Sequence, residues 1–367
     1  MDLKKKIGVI TFHFPLNYGA LLQTFALYKY LQNQGHDVEI INYCPPQHMA
    51  KYDFYQKPQS LKNLLYYLIK SVFIFKYISK KKKFKTFRQT YLNESDLFLE
   101  GGEIVYEYEI VLTGSDQVFN LKDGKVRLPY FQPFIKASHQ RKVAYAPSFG
   151  TNIFSRELEK TIKKYIKDFD LISCREPDGT SFLQSLTTLE VKHVVDPVFL
   201  LSTAEWESYS AERMISDDYI FVYDLNGKKP LIDIAKLNKK HEKIVLLSND
   251  PIARLRREYK DVDVFIESAG VEEFLSLIRF SKGVVTDSFH GVAFSFILEI
   301  PLLTFIALEE VGSRIKTFLT VVGRDDLLVT KLDIRKGDAI FQCVKRNEIL
   351  EEWIKRSKQF LEKLSDG

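Results

Sequence analysis

The chain has 367 residues, 45% hydrophobic and 28% charged, with 17 Gly and 12 Pro. That composition excludes disordered, collagen-like and low-complexity classes, which are poor in core-forming residues. The length predicts two domains at about 100–200 residues each, and a net charge of +5 is too small to predict a nucleic-acid partner.

The chain opens on Met-Asp-Leu-Lys-Lys-Lys and runs straight into IGVITF (7–12), a short β-rich run. A signal peptide would need a longer apolar stretch and a small-residue cleavage site, so a cytoplasmic location is expected. Pro, Asn and Gly punctuate the loop HFPLNYG (13–19). ALLQTFALYKYLQNQG (20–35) carries a broad apolar helical face and ends on Gly35, a left-handed stop. HDVEIINY (36–43) is the next strand, so the unit predicts a right-handed crossover in a parallel sheet.

The segment 61–79 is apolar but broken by Lys62, Lys70 and Lys76, too often for a membrane span. Seven positive residues follow at 76, 80, 81, 82, 83, 85 and 88, with no acid among them. Two readings stay open for this insert (50–100): a hinge helix beside a solvated charge run, or peripheral docking on an anionic inner leaflet at about 1 kcal/mol per basic residue.

Strand patterns return at 109–114, 142–147, 170–174 and 191–196, with helices over 155–168 and 175–186. DPVFLLSTAEW looks like a boundary. A second series of strands occupies 218–225, 243–248, 262–267, 282–286 and 301–307, and an amphipathic helix closes the chain with Ile349, Leu350, Trp353, Ile354, Phe360 and Leu361 on its apolar face. The fold class expected is α/β, with two Rossmann-like doubly wound domains (1–203 on the acceptor side, 204–340 on the donor side) facing a cleft, and a C-terminal helix over 341–367. The three cysteines, Cys44, Cys174 and Cys343, form no disulfide framework or metal pair, in keeping with a reducing compartment.

Ligands of open parallel sheets bind beyond the carboxyl ends of the strands. Four such places carry polar residues. Asn17 and Gly19 open the first helix, with Gln23 one turn on. Ser115, Asp116 and Gln117 follow the 109–114 strand, as an activating carboxylate or as a helix cap. Arg175 ends the 170–174 strand, where its planar fork suits a carboxylate or phosphate. Asp287, Ser288 and His290 join the 282–286 strand to an apolar helix, a setting suited to a general acid or base. His290 has the best setting of the seven histidines, ahead of His13 in the first loop. Arg314 adds a second guanidinium. No HExxH, DxD, Cys/His spacing, GxGxxG or P-loop appears, so neither a metal nor a nucleotide cofactor is expected.

These residues lie in stretches that resemble the polysaccharide pyruvyl transferase family. In family order they are GVITFHFPLNYGALLQTFALYKYLQNQGHDVEIINY, VLTGSDQVFN, AYAPSFG, SCREPDG, VVDPVFLL and VVTDSFHGVAFSFILEIPLLTF with GSRIKTFL, together covering about 7–330. The resemblance implies a glycosyltransferase-B-like pair of domains. It also implies transfer of the pyruvyl group of phosphoenolpyruvate to a sugar as a cyclic ketal, with phosphate released. The histidine of the family's His-Gly pair is the acid/base and matches His290; its donor-binding arginine matches Arg175. Where many members have an Arg two residues before that histidine, this chain has Ser288: either another cation, Arg314, replaces it, or the donor is held differently. Asp116 or Asp287 would take the hydroxyl proton. The expected partners are phosphoenolpyruvate as donor substrate and a sugar or lipid-linked oligosaccharide acceptor. Two rival readings are a sugar-nucleotide-dependent glycosyltransferase of the B type and a non-catalytic sugar-binding protein of an envelope-polymer assembly.

Overall fold

The computed structural model describes residues 4–45, 61–98, 108–120, 127–135, 139–151, 153–227, 229–248, 252–306 and 309–365. Short runs of β-branched and aromatic residues form two wholly parallel sheets. The first contains β1 (Lys6–Ile10), β2 (Asp37–Tyr43), β3 (Glu94–Phe98), β4 (Ile110–Thr113), β5 (Arg141–Ala144), β6 (Leu171–Cys174) and β7 (Val191–His193) in the order β3-β2-β1-β4-β5-β6-β7. The second contains β8 (Tyr219–Asp224), β9 (Lys243–Ser248), β10 (Val264–Ile266), β11 (Gly283–Thr286), β12 (Leu302–Phe305) and β13 (Leu328–Val329) in the order β10-β9-β8-β11-β12-β13. Both orders reverse at one point, between β1 and β4 and between β8 and β11, and crevices open at such reversals. The strands flanking them read as continuous apolar runs because helices bury both faces: every residue of β4, β8 and β11 is buried.

Helix Tyr18–Asn33 starts where the Asn17 carboxamide accepts from the Ala20 N–H at 3.1 Å. It stops before Gly35, at φ 89°. Its first residue reaches the second lobe: the Tyr18 ring stacks on Phe274 at 4.6 Å and its hydroxyl donates to Ala269 O at 2.9 Å. The closing helix, Glu348–Glu362, returns to the first lobe, where Trp353 Nε1 donates to His193 O at 3.2 Å and Ser357 Oγ accepts from the Val195 N–H at 3.0 Å. Of the apolar face expected for it, Ile349 is instead 52% exposed.

The basic insert is one helix, Leu61–Tyr91. Residues 46–60, 99 and 100 of the insert, and the side chains of 61–74, lie outside the described residues. Much of the positive run is used within the protein. Lys76 pairs with Glu267, and Lys83 with Glu273 at 2.6 Å, both across to the second lobe. Arg88 pairs with Glu94 at 2.6 Å. Lys80 lies over the Tyr18 ring at 4.6 Å. Lys81, Lys82 and Lys85 stay exposed on the opposite face, beside Phe75 and Ile78, which are 77% and 51% exposed. Among the described residues no helix is long and apolar enough to cross a membrane.

Candidate functional site

The ends of β4, β6 and β7, together with the start of helix Phe289–Ile297, converge on one buried carboxylate, Asp196. Asp196 Oδ2 accepts from Arg175 Nη1 at 2.5 Å, and the Ser115 hydroxyl lies 3.5 Å from both groups. From the second lobe His290 Nε2 faces the same oxygen at 3.6 Å. The other oxygen, Oδ1, accepts from the Val198 N–H at 3.1 Å, within the turn that Pro197 opens. Burial alone would raise the Asp196 carboxyl. The neighbouring His290 and Arg175, with the Val198 N–H, outweigh burial and hold the carboxyl far below the usual range.

Arg175 is almost wholly buried, its side chain 3% exposed. Burial opposes its charge, but Glu176, Asp196 and Asp116 together keep it firmly cationic. Its Nε lies 3.3 Å from Glu176 Oε1, its face covers the Phe289 ring at 5.0 Å, and its Nη2 is buried with no hydrogen-bond partner. That free donor edge belongs to a small cavity of about 10 Å³ lined by Arg175, Asp196 and Glu176 from the first lobe and Phe289, Arg314 and Thr317 from the second. Burial, and then Arg175 itself, lower the pKa of the Arg314 guanidinium, as expected for two cations sharing one cavity.

Gln117 stands between this cavity and a larger cleft. With its amide oxygen turned to the guanidinium it accepts from Arg314 Nη2 at 2.9 Å and Nη1 at 3.2 Å, in place of the bond the opposite orientation accepts from Asn120 Nδ2 at 2.8 Å. The larger cleft, about 200 Å³, is lined by Asn17, Asp116, Gln117, Asn120, Arg127 and the Phe12 ring among others. It opens at the β1/β4 reversal. Asp116 sits there at φ 73° and ψ −178° with its side chain accepting from the Gln117 N–H. For a residue with a Cβ that backbone costs about 1–3 kcal/mol, and such strain clusters at functional sites.

Gly19 is where the first helix meets His290. A Cβ added there would lie 1.9 Å from His290 Nδ1, so only glycine admits the imidazole. The histidine keeps 10% of its side chain exposed.

Three residues expected to touch substrate do other work. Asp287 Oδ1 accepts from the Leu225 N–H at 2.8 Å and Oδ2 from the Asn226 amide at 2.6 Å, clasping the turn after β8, away from His290. Ser288 is the N-cap of helix Phe289–Ile297, accepting from the Gly291 N–H at 3.3 Å. Gln23 is fully buried and its amide donates to Ala20 O, Thr24 Oγ1 and Thr11 Oγ1, all within the first lobe. None of the three lines either cavity, and neither do Gly19, Ser115 and His290, which stand behind the lining residues. His13 is buried too, bonded to Thr11 O and Asn42 Oδ1, and its pKa is lowered, chiefly by burial. Asp196, conversely, drew no role from the sequence. Its signal was a lone acid in the apolar run VVDPVFLL.

A family model described as polysaccharide pyruvyl transferase matches residues 17–307. No curated protein matches the chain. Among solved structures, a provisionally assigned UDP-N-acetylglucosamine 2-epimerase from Listeria monocytogenes is 11% identical, with 99% of this chain and 97% of that one covered at a TM-score of 0.50. The UDP-GlcNAc 2-epimerase of Methanocaldococcus jannaschii is 14% identical over 98% and 100% of the two chains, with a TM-score of 0.46. CalG4, the calicheamicin glycosyltransferase, is 11% identical over 99% and 95%, with a TM-score of 0.41. The Listeria structure bears on the fold alone, and the fold here is two doubly wound lobes.

Proposed function

Because the chain belongs to the polysaccharide pyruvyl transferase family, we propose that it moves the pyruvyl group of phosphoenolpyruvate onto a sugar of a cell-surface polysaccharide precursor. The observation that carries this reading is the smaller cavity, where Arg175 and Arg314 come from opposite lobes and Asp196 lies between Arg175 and His290. Phosphoenolpyruvate has a carboxylate and a phosphate, and guanidinium forks match both.

Asp196 stays ionised 3.6 Å from His290 Nε2, which makes no hydrogen bond. Nδ1 is packed against Gly19, so Nε2 carries the working proton. His290 delivers that proton to the methylene carbon of the donor, and positive charge develops at C2. A sugar hydroxyl in the larger cleft attacks C2 while Asp116 takes its proton. Phosphate then leaves with that proton, and a second hydroxyl closes the ketal, its proton restoring His290. Two hydroxyl protons are given up, one to the new methyl group and one to phosphate, so the reaction balances. Positioned proton transfer of this kind supplies about 10²–10⁴-fold.

The acceptor in this reading is a lipid-linked oligosaccharide. The exposed face bearing Phe75, Ile78, Lys81, Lys82 and Lys85 supports peripheral contact with an anionic inner leaflet. The test is incubation with phosphoenolpyruvate and galactosides. The reading expects phosphate release, and a melting shift with phosphoenolpyruvate but not with UDP-sugars. A shift with UDP-sugars and no phosphate release overturns it in favour of a glycosyltransferase.

A further inference from the structure

We propose that Gln117 is a positioning residue that holds Arg314 toward the smaller cavity without neutralising it. The inference rests on the reading that this cavity takes a polyanion. The two arginines there are treated differently. Arg175 has carboxylates on two sides, Asp196 at 2.5 Å and Glu176 at 3.3 Å. Arg314, among the described residues, has no carboxylate in ion-pair contact and is held by the amide oxygen of Gln117 at 2.9 and 3.2 Å. Asp196 and Glu176 outweigh the single charge of Arg175. With Asp116 also acting on both guanidiniums, Arg314 is the second cation that offsets the surrounding carboxylates, so the cavity's affinity for an anion depends on Arg314 having no carboxylate directly paired to it. An amide fixes the direction of a guanidinium and leaves its charge intact; a carboxylate in its place would cancel that charge.

The surroundings are shaped to this amide. Gly150, at φ 68°, runs against it: a Cβ there would lie 2.7 Å from Gln117 Cδ and 2.8 Å from the terminal atom turned away from Arg314, the amide nitrogen in this orientation. From behind, the Asp116 carboxylate accepts from the Gln117 N–H at 2.8 Å. The same side chain lines the larger cleft, so one residue separates the two cavities and fixes the cation of the smaller one.

The experiment titrates sulfate, whose charge is constant with pH, into the full chain by calorimetry. Wild type, Gln117→Glu and Gln117→Leu are compared at pH 8, with melting curves as the check on folding. Both variants are expected to bind at least tenfold more weakly than wild type. Gln117→Glu is the weaker binder of the two, because the introduced carboxylate pairs with Arg314 and stays ionised beside it, whereas Gln117→Leu only releases the guanidinium. The charged groups acting on Arg314, namely Arg175, Asp116, Glu176 and Asp196, are common to all three proteins. With phosphoenolpyruvate as substrate the loss falls on KM more than on kcat. A Gln117→Glu protein that binds sulfate like wild type, or no more weakly than Gln117→Leu does, overturns the role of Gln117. A wild type that binds no sulfate overturns the anion reading of the cavity itself.

Discussion

Gly19→Ala separates two opposed effects at one atom. In the first turn of a helix, away from left-handed backbone, alanine is favoured over glycine by up to about 1 kcal/mol. Against that, the new Cβ would meet His290 at 1.9 Å from Nδ1, 2.3 Å from Cγ and 2.5 Å from Cε1. Nδ1 then lies about 1.5 Å inside an ordinary 3.4 Å contact. The imidazole has little room to retreat, with Asp196 at 3.6 Å and the Phe289 ring centroid at 5.3 Å. Overpacking of this kind costs about 1–3 kcal/mol, so the clash outweighs the propensity gain and the variant loses up to about 2 kcal/mol. A catalytic group displaced by about 1 Å costs on the order of 10²-fold in rate. Urea denaturation and phosphate release measure the two effects. The decisive comparison is Gly19→Ala in a His290→Ala background, where the obstructing ring is gone and alanine becomes neutral or stabilising. If Gly19→Ala keeps wild-type stability and turnover, or costs as much without the imidazole as with it, the close approach of these residues is wrong.

Asp196→Asn strips the charge from between Arg175 and His290, and breaking such a buried pair costs about 3–5 kcal/mol in denaturant titration. Because the folded carboxyl is held below its unfolded value, its stabilisation is full above about pH 4 and fades as pH falls, so the variant flattens the acid limb of the stability profile. Lys80 behaves in the opposite sense. Burial lowers its pKa from 10.5 to about 8, so the folded state disfavours the charge at neutral pH and gains stability as pH rises from 8 toward 10.5. Allowing for its contact with the Tyr18 ring, Lys80→Met stabilises by about 1–2 kcal/mol at pH 7, and the gain shrinks above pH 10 as measured by urea titration at both pH values. Finally, the wild-type chain sediments with anionic vesicles at low salt, and Lys81→Glu, Lys82→Glu and Lys85→Glu together abolish it; a wild type left in the supernatant removes the docking role of that face.

What the sequence reveals follows from where the partners of each residue lie. The strands at the two sheet reversals are legible because burial on both faces writes them as unbroken apolar runs such as IVLT and YIFVYD. β3, ESDLF, is an edge strand with exposed Asp96 and Leu97, and carries no such pattern. Arg175 and His290 stand out because each follows a strand that aims it at a crevice. Asp196 does not, because it sits inside an apolar run and its meaning comes from Arg175 and His290 elsewhere in the chain. Asp287, Ser288 and Gln23 mislead for the converse reason: an acid clasping a turn, a serine capping a helix and a glutamine bonded within its own lobe have the same composition as a binding residue. The basic run reads as free charge only while Glu267 and Glu273, in the other lobe, are out of sight.

A crystal of the protein soaked with phosphoenolpyruvate tests the central claim most directly. The account predicts the phosphate and carboxylate divided between Arg175 and Arg314, with the methylene carbon turned to His290. Donor bound in the larger cleft away from both guanidiniums, or turned so that the imidazole meets no carbon of it, would contradict the account.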